Sequence, residues 1–180
     1  MIIDFEKLNY SIYEKTNAVR KDNSLSLLTY STELSIISSL HSTQMKKFNF
    51  FSHTNKFNQS LKDLKDRVSF FNLNFSKVTE NIADLSLLNT FTEEVFEIRK
   101  CENQINFFSK KNGNQFNFHT ITSFSEYVVN AWMNSKGHRK NILDSDVTHL
   151  GCGAVLYYRE INNLGDKLAY LKVTQNFAKI

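Results

Sequence analysis

The residues most able to do chemistry in this 180-residue chain are five histidines, His41, His53, His119, His138 and His149, and two cysteines, Cys101 and Cys152. No HExxH pair exists and the cysteines lack CxxC spacing, so no metal site is written in one local segment. A site can still be assembled from distant segments. His53 lies in a polar, aromatic loop after a helix, Glu80 opens an extended segment, and His138 follows Gly137 in "NSKGHRKNIL". Two imidazoles and a carboxylate suit zinc, with the fourth position left open for water. In such a site Glu80 could act as general base toward the metal-bound water. His41 falls on one helical stripe with Met45, which reads as core packing, and His119 and His149 read as locally satisfied or exposed.

The elements that must position these groups are legible from periodicity. Phe5, Leu8, Ile12, Thr16 and Val19 predict a helix over 4–21. Ser31 reads as the N-cap of a second helix over 32–48, with Leu34, Ile37, His41, Met45 and Phe48 on one stripe. Leu61, Leu64, Val68 and Phe71 predict a third over 60–70, and "KVTENIADLS" at 77–86 a short strand or extended segment. Val95, Ile98, Cys101, Ile105 and Phe108 recur at helical spacing and predict a helix over 91–109, broken by the turn dipeptide Asn112-Gly113. Ser123 and Glu126 form a capping-box pattern that starts a helix running to about Ser135, with Gly137 ending it at the C′ position. Two strands, 150–160 and 167–178, close the chain as a hairpin around "INNLGD". Helices followed by strands indicate α+β or a layered α-β-α arrangement.

Composition narrows the function classes. Sixteen Phe, no Pro and abundant Asn and Lys weaken any argument from single Asn or Lys residues. The net charge of +4 comes without a basic stripe: the densest cluster is "KGHRK" at 136–140, and Asp and Glu are interleaved elsewhere, which argues against a nucleic-acid partner. No run approaches the roughly 18 apolar residues of a membrane span. The opening "MIIDFEKLNY" lacks the basic and apolar regions of a signal peptide. Two cysteines are too few for a disulfide framework, and whether they pair stays open. Cys152, between two glycines in an apolar run, fits a small buried hydrophobe.

Four blocks, "LHSTQMKKFNFFSH" at 40–53, "ENIADLS" at 80–86, "AWMNSKGHRKNIL" at 131–143 with "HLGCGAV" at 149–155, and "VTQNFA" at 173–178, resemble in order and spacing a bacterial member of the CAP superfamily, the SCP-like or PR-1-like domain. The resemblance implies a single domain over 1–180, a three-layer α-β-α sandwich with a mainly antiparallel central sheet, and an aromatic-rich insert at about 87–121. It matches His53 and His138 to the two cleft histidines and Glu80 to the first cleft acid. Ser135 stands where many members carry a second Glu, so any zinc should be held weakly, at one site. Thr79 replaces a Gly common before "ENIA", and Lys136 a Pro common before "GHR". Trp132 is implied as a core anchor, with Gly137, Arg139 and Asn141 supporting the turn that presents His138.

No single activity unites the family, so the resemblance implies a binding module more than an enzyme. The expectation is a secreted or surface protein, lipid-anchored, with its export signal outside this chain, whose partner is a lipid or sterol, or a host or cell-surface protein. A metal-dependent hydrolase and an adhesive module with a relic cleft are the alternatives. Phe91, Phe96, Phe107, Phe108, Phe116 and Phe118 in the insert would form an apolar binding patch if exposed, and part of the core if buried.

Overall fold

In the computed structural model, residues 2–90, 95–101 and 104–180 are described. The first helix, α1 (Phe5–Asp22), is capped by the Asp4 carboxylate and buries Leu8, Ile12 and Thr16 at the spacing the sequence predicts. A two-residue strand β1 (Thr29–Tyr30) leads into α2 (Thr32–Lys47), whose N-cap is Ser31. The expected third helix is split into a 3-10 turn (Gln59–Leu61) and α3 (Leu64–Phe70), because Asp63 and Asp66 form a capping box that restarts the helix. Strand β2 spans Lys77–Ser86, as predicted.

The central sheet has the order β1-β6-β7-β2, where β6 is His149–Glu160 and β7 is Lys167–Lys179. The last two strands pair antiparallel over their whole length, and β2 pairs antiparallel with β7. The short β1 pairs parallel with β6, so the sheet is mixed, with antiparallel pairings dominant.

Side-chain alternation assigns the two faces. Leu150, Cys152, Leu171, Val173 and Phe177 share a core with Leu8 and Ile12 of α1 and with Phe124, Val128 and Trp132 of α4 (Ile121–Met133). Cys152 is a free, buried thiol. The opposite face carries Gly151 and Gly153, on which α2 lies so closely that an added Cβ would come within 2.2 Å of Ser35 N and 2.1 Å of Ser39 N. Ser38 and Ser42 donate to the Gly151 and Gly153 carbonyls. Those contacts clamp α2 to the sheet and make the three layers.

Three expectations need correction. Within the helix expected over 91–109, the described residues form strands instead: β3 (Phe96–Cys101) and β4 (Gln104–Ser109) pair antiparallel, joined by β5 (Gln115–Phe116) into a second sheet. The apolar positions that fitted a helical period also tolerate alternation, and the run is rich in Ile and Phe, which favour strands. Phe107 is buried, with Phe96 and Phe116 packed around it beside Leu168, Ile161 and Tyr170. Among the described rings of that set only Phe118, at 38%, is exposed, so the described part of the insert carries a small core rather than an open patch. Phe91 lies outside the described residues.

The other two corrections concern α4. Its N-cap is Thr120, in a capping box with Ser123, one turn earlier than Ser123 and Glu126 suggest. It ends at Met133, with Asn134 as its C-cap, and a seven-residue helix, α5 (Lys136–Ile142), follows. Gly137 is therefore inside a helix rather than at a C′ stop. Among the described residues no helix is long and apolar enough to cross a membrane.

Candidate functional site

The site forms where three segments meet above β2. Glu80 is only 8% exposed, and a buried carboxylate needs strong partners. Arg67 supplies them from α3: its Nη2 donates to both Glu80 oxygens, at 2.9 and 2.8 Å. The same guanidinium is fully buried, and its Nη1 donates to the carbonyls of His53, Leu61 and Lys62. One side chain thus ties α3, the histidine loop and the carboxylate together. Burial pushes the Glu80 carboxyl up, but the His53 hydrogen bond and the Arg67 charge outweigh it and hold it below the ordinary range.

His53 Nδ1 lies 2.9 Å from Glu80 Oε1. Against an ionised carboxylate this nitrogen is the donor, which leaves Nε2 as the free lone pair. The arrangement is the carboxylate–imidazole pair that fixes a tautomer and raises the basicity of the outward nitrogen. His53 is half-exposed, so its ring is open to solvent.

His41 is more than a packing residue. It is fully buried, its Nε2 lies 3.0 Å from the Ser52 carbonyl, and the same atom is 3.8 Å from Glu80 Oε1. A carbonyl can only accept, so Nε2 carries the proton and the ring holds the loop one residue before His53. Burial pushes its protonation down to about 4. His41 and Glu80 therefore make the fold sensitive to acid. Unfolded, His41 takes up a proton near pH 6.5 and Glu80 near 4.5; folded, both do so lower. The unfolded chain binds more protons across that window, so stability is full above pH 6.5 and falls on acidification. His41 alone should remove about 3 kcal/mol by pH 4. Urea unfolding of wild type and His41→Gln between pH 7 and 4.5 checks this: the wild-type decline should flatten in the variant.

His138 reaches the cleft from α5. Asn81 of β2 donates to the His138 carbonyl at 3.2 Å, and Asn141 donates to the Glu80 carbonyl and to Asn81 Oδ1. Trp132 is buried, with its indole N–H on the Ile82 carbonyl. Arg139 donates to the Met133 carbonyl across the break between α4 and α5. Ser135 occupies the N-cap of α5 without a side-chain capping bond. An added Cβ on Gly137 would meet nothing within 4 Å, so no steric demand calls for glycine there. Burial, then the nearby His53 charge, lowers the His138 protonation and favours the neutral ring a metal would need.

The His53 and His138 ring centres are 6.4 Å apart. Two imidazoles on one tetrahedral zinc, with Zn–N at about 2.0–2.1 Å, bring ring centres to about 5 Å. The observed separation is thus about an ångström longer than a shared ion would need. Glu80 is not available as a third ligand, since Arg67 and His53 take its oxygens. Among the described residues no three His, Cys, Asp or Glu side chains gather as a ligand set. His53 and His138 are the residues that could hold a metal.

Sequence reasoning missed Arg67, Asn81 and the tethering role of His41. The available signal for Arg67 was its place among Leu64 and Val68 on the inner face of a short helix, where a solvated arginine does not belong.

The chain belongs to the CAP family, described as the cysteine-rich secretory protein family, whose profile matches residues 13–165. It is 29% identical over 168 residues to the membrane protein YlbC of Bacillus subtilis, covering 93% of this chain and 33% of that protein. It is 67% identical over 30 residues to YkwD of the same organism, covering 17% of this chain and 12% of that one. The chain thus spans a third or less of these relatives. Its fold matches an extracellular SCP-domain protein of Bacillus anthracis, with TM-score 0.62 and 24% identity, covering 98% of this chain and 41% of that one. An outer surface protein of Borrelia burgdorferi matches with TM-score 0.59 and 14% identity, covering 99% and 97%.

Proposed function

We propose that this CAP domain is a ligand-binding module of an exported or surface protein, with a weak divalent-metal site on His53 and His138. Support for the location comes from the relatives, described as membrane, extracellular and outer-surface proteins. The observation that carries binding rather than turnover is the state of Glu80. Arg67 and His53 saturate its oxygens and lower its proton affinity, so it is poorly suited to shuttle protons as a general base. Its work is to orient His53. A lipid, a sterol, or a host or cell-surface protein remains the proposed class of ligand.

Zinc titration by calorimetry tests the site. Wild type should take up one equivalent weakly at neutral pH, and His53→Ala and His138→Ala should each abolish it. Uptake should fade as pH falls through the imidazole range, because protons compete for the same lone pairs. Equal binding by the two variants would overturn the reading.

A further inference from the structure

The acids interleaved along most of the chain are missing from two stretches, and both border the histidine cleft. Residues 34–62 hold Lys46, Lys47, Lys56 and Lys62 but no Asp or Glu, and residues 127–143 hold Lys136, Arg139 and Lys140, again without an acid. All of these cations are exposed. The His53 and His138 rings, with centres 6.4 Å apart, bring the two stretches side by side. Among the described residues none of these cations forms an ion pair. The carboxylate beneath them, Glu80, is already neutralised by Arg67. Asp63 and Asp66, the next acids along the chain, close the capping box of α3, and Lys62 and Lys65 beside them balance their charge.

The first stretch also carries an island of aromatic rings. Phe48 and Phe57 stack with ring centres 5.1 Å apart, and Phe50 leans on Phe57 at 5.7 Å. Phe50 in turn packs against the buried His41, which holds the loop to α2. The Lys47 ammonium sits 5.2 Å from the Phe48 ring centre. Phe57 is 58% exposed, and Phe51 in the same loop 51%. Exposed rings gathered in this way mark an interaction site. The clefts beside β6, at the start of α4, beside β5 and behind α3 are lined by other residues, so these rings offer a face and not a slot. A second copy of the chain would cover that face poorly, because a two-fold contact sets Lys47 and Lys56 against their own counterparts.

Phenylalanines among unpaired lysines, with no carboxylate beside them, match the chemistry of a bilayer interface. The rings enter the boundary between headgroups and acyl chains, and the ammonium groups stay with anionic headgroups. We propose that the loop at 48–57 docks the domain on an anionic lipid bilayer, with Phe51 and Phe57 entering the interface and Lys47 and Lys56 meeting the headgroup phosphates. Lys136, Arg139 and Lys140 add to the attraction at longer range. His53 lies in the same loop, so docking holds the histidine cleft close to the membrane surface. The inference requires no metal in that cleft.

The probe is a vesicle of three parts phosphatidylcholine to one part phosphatidylglycerol, compared in EDTA with a vesicle of phosphatidylcholine alone, so that metal plays no part. Wild type should sediment with the anionic vesicles, stay free of the neutral ones, and be released by high salt. Each lysine near such a surface is worth about fivefold in affinity, so the double variant Lys47→Gln, Lys56→Gln should bind about tenfold more weakly or worse. The double variant Phe51→Ser, Phe57→Ser keeps the charge and should also lose about tenfold or more, with circular dichroism unchanged. Should that variant fail to fold, Phe57→Trp still decides: brominated lipid in the anionic vesicles should quench its fluorescence beyond that of the buried Trp132 in wild type. The proposal is overturned if wild type ignores the anionic vesicles or binds the neutral ones as well. It is overturned too if the folded serine variant binds like wild type, or if brominated lipid leaves Phe57→Trp unquenched. Duplex DNA or soluble polyphosphate binding as tightly as the vesicles, or a dimer in sedimentation that the serine variant abolishes, would assign the face to another occupant and overturn it equally.

Discussion

Replacing Arg67 with methionine should cost roughly 3–5 kcal/mol, the range for removing one partner of a buried ion pair. The loss exceeds a single bond because Glu80 stays buried without its counter-charge while three carbonyls lose their donor. Arg67→Lys should rescue little, since one ammonium cannot span two carboxylate oxygens and three carbonyls. Pairing Arg67→Met with Glu80→Gln should be much less harmful than the sum of the two singles, because the stranded charge is gone. Urea unfolding at pH 7 of the four proteins measures this coupling. Additive losses would mean that the two side chains do not depend on each other.

Gly153→Ala should have the other large effect. Its methyl would lie 2.1 Å from Ser39 N and 2.5 Å from the Ser38 carbonyl carbon, both main-chain atoms that cannot swing aside. Helix α2 must lift, and it carries Ser42 and His41 with it. The loss should reach or pass the roughly 1–3 kcal/mol typical of overpacking. Gly137→Ala is the contrast: it meets open space inside a helix and should stabilise by about 0.5–1 kcal/mol. Thermal or urea unfolding of both variants checks the opposite signs.

Much of this organisation was readable from residue types. The long amphipathic helices, Ser31 as a cap, and the two closing strands follow from periodicity and turn residues, because burial there is one-sided and regular. The 91–109 segment misled because its apolar residues fit two periods, and only pairing with a neighbouring strand decides between them. Gly137 misled because glycine near a helix end commonly stops it, whereas here the chain breaks earlier, after Met133, and restarts. At the site, residue types suggested that His53, Glu80 and His138 could gather, and resemblance to known blocks singled them out. Arg67 was not, since its role depends on a carboxylate 13 residues away that no local pattern links to it.

The place of β7 bears on how the chain acquires its shape. It lies between β6 and β2, yet it is the last strand made. Glu80 pairs in register with Asn176, and Thr16 of the first helix receives a bond from Gln175, so β7 is tied to elements made far earlier in the chain. During synthesis the early helices emerge with no completed sheet to bury them. Such non-local pairing makes for slow closure, on the order of milliseconds to seconds. The nascent chain stays open until its final strand is available, which leaves it in a state that a translocation channel or a chaperone can handle.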